Sequence, residues 1–294
     1  MAEKIVVAGA GSNDLAGGLA SRLHCKLLVP DVTVFPDGES KLSIPSLPNG
    51  KDVIVIQRLF PQQDKRLVEL TFLMHKLKEN GNRITLVAPY LAYARQNREF
   101  LSGEIVSVKV VADIFRLLGV RRLLVVDAHN VESLMHFPMP TSNCMPERIL
   151  ASYVSSKLDL KDPVVAAPDE GSIARAAEFA DLIGTDSFSF HKTRDKRTGE
   201  VRTRDKKVDL GGRDAVIVDD MISTGRTVIN CARLLKKHGA RRITAVCTHA
   251  LLVDGAAQQI KRAGIERVIS TNTVLSRHSV VDVSPLLAKS FGGA

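Results

Sequence analysis

The chain is 294 residues long, enough for two domains of ordinary size or one large one. Its 45% hydrophobic and 25% charged residues are those of a globular protein, which excludes wholesale disorder and a fibrous repeat. No apolar run reaches the ~20 residues that cross a bilayer, so no membrane role is expected. The unusual figure is charge: 41 Lys+Arg against 32 Asp+Glu, a net +9. That excess points to an anionic partner and leaves nucleic acid, anionic lipid and phosphorylated metabolites open.

Residues 1–11 lack the separate basic and apolar regions of a signal peptide and read as the first strand. Further strands are expected at 26–30, 52–57, 83–89, 121–129, 163–169, 214–220, 242–249 and 266–271. Many are continuously apolar, as in strands covered on both faces of a parallel sheet. Helical patterns lie between them near 64–80, 105–119, 145–158, 171–183, 224–239 and 254–264, and this alternation indicates an α/β fold. Residues 77–87, LKENGNRITLV, resemble residues 235–246, LKKHGARRITAV; both end a helix at Gly and enter a strand through Arg-Ile-Thr. The match hints at a duplicated domain. A boundary near residue 145 gives two similar halves, each with a mainly parallel sheet flanked by helices. The tail, SVVDVSPLLAKSF, reads as one more strand and a short helix that could return to either half. Placing the helix with the first half gives domains of 1–144 plus 282–294 and 145–281. The four cysteines, Cys25, Cys144, Cys231 and Cys247, have no CxxC spacing and read as reduced in a cytoplasmic protein.

The most informative stretch is AVIVDDMISTGRT, residues 215–227. A buried strand ends in two carboxylates, Asp219 and Asp220. A turn follows, made of Ser223, Thr224, Gly225, Arg226 and Thr227, and leads into a helix. Ligands of open α/β sheets bind at the carboxyl ends of strands. Backbone N–H groups at a helix start, with three hydroxyls, suit a phosphate, and Gly225 allows close approach. Carboxylates accept hydrogen bonds from a sugar diol, so the pair of features fits a ribose 5-phosphate. The pattern resembles the phosphoribosyl pyrophosphate (PRPP) signature of the type I phosphoribosyltransferase family. That resemblance implies the family's fold for both halves, Asp219 and Asp220 on the ribose hydroxyls, and residues 223–227 on the 5-phosphate.

Four other motifs sit at or just after expected strand ends: Phe-Pro-Asp-Gly-Glu at 35–39, Tyr-Ala-Arg-Gln-Asn-Arg at 93–98, Asp-Ala-His at 127–129 and Pro-Asp-Glu-Gly at 168–171. In this order they resemble the ribose-phosphate pyrophosphokinase (PRPP synthase) family, from about residue 5 to residue 290. The resemblance implies an ATP side in the first half, with Phe35, Asp37 and Glu39 meeting the nucleotide and Arg95 and Gln96 also on ATP. Arginine suits phosphate oxygens. It implies Mg²⁺, with His129 and Asp169 as metal ligands and Asp127 as an alternative contact, although magnesium prefers oxygen to imidazole.

Residues 191–207, HKTRDKRTGEVRTRDKK, hold eight Lys/Arg against three Asp/Glu. The part from Arg202 to Lys207 reads as a solvated surface hairpin. Lys192 and Arg194 match the Lys-x-Arg of the family's flexible catalytic loop, and alternate residues of an extended segment point the same way. The implied reaction takes ATP and ribose 5-phosphate to PRPP and AMP. Positioned cations stabilise the charge that develops in such a transfer.

The chain departs from the family in places. Asn97 replaces a usual Asp, and Ser223 replaces an Asp common in the synthase loop. Ser102-Gly103-Glu104 stands where the long synthases carry Ser-Arg-Glu, so their phosphate and ADP regulatory site is not carried over. This form is similar to the short archaeal-type synthases. Gly9-Ala-Gly11 begins a dinucleotide fingerprint, but Asp14 stands where the third Gly is needed. Other readings are a PRPP-using transferase or PRPP-binding regulator on the same fold, a non-enzymatic subunit of a partner synthase, and a nucleic-acid binder. The last is disfavoured by 4% aromatics with no stacking pattern. The expected partners are therefore the two substrates and further copies of the chain, in a homodimer or higher homo-oligomer, with no nucleic acid or membrane.

Overall fold

The computed structural model describes residues 4–190, 192–194, 201–203 and 209–292, without the side chains of 192–194 and 201–203. Contacts divide the chain into residues 1–145 with 282–294, and residues 146–281.

The first unit runs β1 (Lys4–Ala8), α1 (Asn13–Arg22), β2 (Lys26–Leu28), β3 (Asp31–Val34), β4 (Ser40–Ser43), β5 (Asp52–Ile56), α2 (Gln63–Glu79), β6 (Arg83–Ala88), α3 (Ser107–Leu117), β7 (Val120–Val126) and β8 (Thr141–Cys144). The second runs α4 (Glu147–Lys157), β9 (Val164–Ala167), α5 (Ile173–Ile183), β10 (Asp186–Ser189), β11 (Lys192–Arg194), β12 (Val201–Thr203), β13 (Asp214–Ile222), α6 (Arg226–Lys237), β14 (Arg242–Ala250), α7 (Ala256–Arg262), β15 (Arg267–Thr271) and β16 (Ser279–Val281). A last helix, α8 (Ser284–Lys289), belongs to the first unit.

The sheets are ordered β2-β1-β5-β6-β7-β8 and β10-β9-β13-β14-β15-β16, all parallel, so they match strand for strand. Each unit adds one antiparallel hairpin at the same point of its order, β3-β4 or β11-β12. The unbroken apolar runs follow from burial on two faces. In β13, Ala215 and Ile217 pack with Val228, Ala232 and Leu235 of α6. The alternating Val216 and Val218 pack with Leu150 and Ala151 of α4 and Phe179 of α5. The period of two sends successive side chains to opposite layers.

The Arg-Ile-Thr repeat marks equivalent positions. Arg83 opens β6 and Arg242 opens β14, each after a glycine at positive φ, Gly81 or Gly239. Each arginine is in register with the first aspartate of the neighbouring strand and pairs with it: Arg83 with Asp52 at 2.6 Å, Arg242 with Asp214 at 2.7 Å. Asp214 also receives Arg241 at 2.6 Å and the amide of Lys161 at 2.8 Å. Burial raises its pKa, but these partners outweigh burial and hold the carboxyl down at about 2.

The expected terminal strand and helix part company. β16 pairs with β15 in the second unit, whereas α8 packs on α1 in the first. The helix after β8 does the converse: α4 packs on α5. Each sheet's last strand thus leads to a helix that completes the other unit's layer. Leu287 and Ala288 of α8 are fully buried, like Leu150 and Ala151 of α4. Arg22 Nε donates to Ser284 Oγ at 3.0 Å, and a Cβ on Gly18 would lie 2.9 Å from that oxygen, so α1 and α8 approach closely. Sequence periodicity had not indicated α1, whose two glycines and short polar start dilute its apolar stripe.

Two outcomes follow. Leu287→Ala should cost about 2–5 kcal/mol in urea denaturation, with lost hydrogen-exchange protection in α1 although the mutation lies near the chain end. Asp214→Ala should cost about 3 kcal/mol, the lower end for a broken buried ion pair, since both arginines stay partly hydrated. In the unmutated chain this contribution is present above about pH 4 and is lost as pH falls toward 2, because the folded carboxyl titrates below the unfolded one. A pH series of thermal midpoints on both proteins checks the sign.

Candidate functional site

In the second unit, β9 and β13 are neighbours, so the loops after them share one edge of the sheet. Asp169 follows β9, while Asp219 and Asp220 sit near the end of β13. Ser172 stands between them at the start of α5, without a side-chain capping bond to the helix. Its Oγ lies 3.0 Å from Asp169 Oδ1 and 2.9 Å from Asp219 Oδ1. Its amide donates to Asp169 Oδ1 at 3.1 Å, and the Asp220 amide donates to Asp219 Oδ1 at 3.0 Å. Asp219 is buried, with Asp169 and Asp220 half-buried. Burial first, then the charges of Asp220 and Asp169, push the Asp219 carboxyl up to about 8. Like charges held out of water in this way suit a cation or a donor of several hydrogen bonds.

The turn after β13 leads straight into α6. Gly225 takes φ 76°, outside the comfortable range of other residues, and a Cβ there would lie 3.0 Å from two carbons of Ile260. It is the N-cap of α6 and has no side chain to cap the helix, so the first-turn amides, which have no intrahelical acceptor, point to the loop. Ser223 and Thr227 are partly exposed, and Thr224 and Arg226 are exposed beside them. Backbone donors, hydroxyls and one arginine make an anion cradle next to the carboxylates.

In the first unit the corresponding positions carry different side chains. Counting from the paired aspartates Asp52 and Asp214, the positions of Asp219 and Asp220 fall to Gln57 and Arg58. Arg58 is buried and holds both oxygens of Asp14, at 2.5 and 2.8 Å, with the carbonyl of Gly11 at 2.9 Å. Asp14, which broke the dinucleotide fingerprint, is thus the partner of a buried arginine.

The other sequence-expected residues of this unit lie on three segments. Phe35, Asp37 and Glu39 form the exposed tip of the β3-β4 hairpin, where Asp37 Oδ1 accepts the Glu39 amide at 3.1 Å and Gly38 turns the chain at φ 95°. Arg95 and Gln96 follow β6, and Asp127 and His129 follow β7, so these two segments come from adjacent strands. The loop of Arg95 is tied down around it. Tyr93 hydrogen-bonds Asp64, and burial, with that bond and charge, pushes the phenol up to about 12. His136 Nε2 meets the carbonyl of the buried Asn97 at 3.0 Å. Gln96 Nε2 donates to Glu104 at 3.1 Å, and Glu104 also accepts the amides of Phe100 and Leu101. Glu104 of the divergent Ser-Gly-Glu segment therefore closes this loop. Arg95 itself is exposed, His129 is exposed, and Asp127 is buried at φ 49°.

Among the described residues, no three His, Cys, Asp or Glu side chains are gathered into a ready-made metal cage. His129 and Asp169 belong to different units. The oxygen-only chemistry of Asp169, Asp219 and Asp220 nonetheless fits a hard divalent cation that keeps part of its coordination for water or phosphate. Of the basic segment 191–207, Lys192 and Arg194 are placed as backbone, on β11 opposite Thr203 and Val201 of β12; their side chains, and residues 191, 195–200 and 204–207, lie outside the described residues. Sequence reasoning missed Ser172, although its place three residues after Asp169 at a helix start is a signal for such a bridge. It left out His249, which is buried with its Nδ1 2.9 Å from Thr273 Oγ1.

Comparison with known proteins gives consistent likenesses. Residues 4–119 match the N-terminal domain of ribose phosphate pyrophosphokinase, and residues 205–291 match the phosphoribosyl synthetase-associated domain. The chain is 38% identical to a ribose-phosphate pyrophosphokinase of Sulfolobus acidocaldarius and 37% identical to one of Sulfurisphaera tokodaii, each over 97% of this chain and 99% of the relative. Its structure is similar to that of phosphoribosylpyrophosphate synthetase from Mycobacterium smegmatis, with a TM-score of 0.86 and 28% identity over 99% of this chain and 98% of the other. No helix among the described residues is long and apolar enough to cross a membrane.

Gly225→Ala should lower stability by about 1 kcal/mol or more, from positive-φ strain together with the contact on Ile260. Thermal unfolding of that variant measures it, and inorganic phosphate should protect the variant less than the parent chain.

Proposed function

The chain belongs to the ribose-phosphate pyrophosphokinase family, and we propose how its own residues divide the work of that enzyme. The reaction transfers the β,γ-diphosphoryl group of ATP to the anomeric hydroxyl of ribose 5-phosphate, giving AMP and PRPP for nucleotide biosynthesis. The observation that carries the division is the juxtaposition, on one sheet edge, of the Asp169-Ser172-Asp219 cluster and the uncapped start of α6. A diol acceptor beside an anion cradle is what a ribose 5-phosphate requires.

In this reading Asp219 and Asp220 accept hydrogen bonds from the ribose 2- and 3-hydroxyls. The amides and hydroxyls of Ser223, Thr224, Gly225, Arg226 and Thr227 take the 5-phosphate. The sugar is thereby fixed with its anomeric oxygen held for attack, which supplies much of the rate by removing rotational and translational freedom. Phe35, Asp37 and Glu39 meet the adenosine of ATP. Arg95 pairs with its phosphates, and Gln96 meets ATP through its carbonyl oxygen, since its amide nitrogen holds Glu104. His129 on the ATP side and Asp169 on the ribose side would each be a ligand for Mg²⁺, with Asp127 as an alternative contact beside His129. When bound, the ion draws off charge from the phosphate oxygens.

The anomeric hydroxyl gives up its proton to solvent as its oxygen attacks the β-phosphorus, the bond to the α,β-bridging oxygen breaks, and AMP leaves carrying that electron pair. Lys192 stabilises the charge that develops on the transferring and leaving groups, and Arg194 contacts the ribose phosphate or that charge. The protein acts in the cytoplasm as a homodimer or larger homo-oligomer, without nucleic acid.

AMP release from ATP, Mg²⁺ and ribose 5-phosphate tests the reading. The parent chain should release AMP and form PRPP one for one. Lys192→Ala should lose about 10³–10⁵ in kcat with its thermal midpoint kept. Normal turnover by that variant would remove Lys192 from the mechanism. PRPP binding without AMP release by the parent chain would favour a regulator. Repeating the assay with added ADP and phosphate shows whether the Ser102-Gly103-Glu104 form has lost the regulation of the long synthases.

A further inference from the structure

Ser172 belongs to none of the motifs that mark the site, yet its hydroxyl touches both loops of the carboxylate cluster. It is buried, 2.9 Å from Asp219 Oδ1 and 3.0 Å from Asp169 Oδ1, and its amide also binds Asp169 Oδ1. The Oδ1 atoms of both aspartates therefore face the serine. Asp219 Oδ1 takes the Asp220 amide as well. That leaves the Oδ2 atoms as the oxygens each carboxylate has for a ligand.

The first unit offers an internal comparison. Ser12 holds the same place at the start of α1, and it too is fully buried. Its Oγ accepts the backbone amide of Arg58 at 2.9 Å and so braces a main chain, not a carboxylate. The duplicated serine therefore has a packing role in one copy, and in the other it joins two acidic side chains whose mutual repulsion would drive them apart. A hydroxyl has one proton for two carboxylates. Bridging both requires that they share it or that one carries a proton, so the serine holds the pair together at a separation set by two hydrogen bonds.

We propose that Ser172 is a positioning residue for the ribose and metal carboxylates, fixing Asp169 and Asp219 in the orientation that receives ribose 5-phosphate and its divalent cation. The proposal rests on the assignment of those two aspartates to ligand binding. Hydrogen-bond partners of this kind orient ligating carboxylates, and their loss lowers metal affinity about 10–100-fold.

The test uses the full-length protein with four variants: Ser172→Ala, Ser172→Thr, Asp219→Asn and Ser12→Ala. Ribose 5-phosphate binding is measured by calorimetry with Mg²⁺ and no nucleotide, and Mn²⁺ binding by electron paramagnetic resonance. KM and kcat come from AMP release, and thermal midpoints are recorded for each. Ser172→Ala should weaken Mn²⁺ and ribose 5-phosphate binding about tenfold or more, raising KM more than it lowers kcat. Ser172→Thr should restore both, and Ser12→Ala should move only the thermal midpoint. If Asp219→Asn loses binding while Ser172→Ala keeps it, the positioning role is overturned and the carboxylate assignment stands. If Asp219→Asn also binds normally, the assignment fails and the proposal with it. Losses in Ser172→Ala that follow its thermal midpoint, and that threonine does not recover, would likewise overturn it as a mere packing effect.

Discussion

In a sheet whose six strands all run the same way, every carboxyl end falls on one edge and every strand needs a crossover to reach the next. Both sheets of this protein obey that constraint, and most of what matters chemically follows from it. Asp169, Asp219 and the phosphate turn are far apart in the chain, yet β9 and β13 are neighbours, so their trailing loops meet. Arg95 and His129 are brought to one edge for the same reason, through β6 and β7. The opposite edge carries the ion pairs Asp52–Arg83 and Asp214–Arg242, which lock register where the strands begin.

The duplication shows how one scaffold supports different sites. Strand order, hairpin position, the register-setting aspartate and the serine at the start of α1 or α5 recur in both units. The divergence is concentrated where β5 and β13 end. In one copy, burial and the neighbouring carboxylates disfavour the charged form of Asp219, which a cation or hydrogen-bond donor can restore. Gln57 and Arg58 in the other are satisfied internally, by Asp14 and backbone carbonyls. A cleft that has already neutralised its own charge has little left to offer a sugar diol. The first unit instead presents loops outside that cleft, the β3-β4 tip and the segments after β6 and β7.

Much of this was legible in sequence. The apolar runs of β5, β6, β13 and β14 were plain because a strand covered on both faces has no polar side to dilute the pattern. The helices between them were found within a few residues of their ends. α1 was not, since Gly17 and Gly18 weaken its stripe, and the close approach to α8 that explains Gly18 is a tertiary fact. The sequence could assign the tail helix to the first half only as a choice, because α8 has the same Leu-Ala core pair as α4 and local pattern left either layer open. Ser172 escaped notice since one serine after a Pro-Asp-Glu-Gly turn is ordinary until its two partners are seen.

The amino-acid sequence by itself determined the α/β class, the internal repeat, the acidic strand end with its phosphate turn, and the family. These rest on local order, in which residue type and spacing carry the physics: period, turn chemistry, a carboxylate pair before a helix start. Tertiary structure decided which strands are neighbours, which oxygen of each aspartate is already occupied, and why the exposed Asp14 pairs with a buried arginine. Those depend on contacts between residues tens to hundreds of positions apart, such as Ser172 with Asp219 or Arg22 with Ser284. Pairings at that range are set by the closing of the sheets and helix layers, and no local pattern records them.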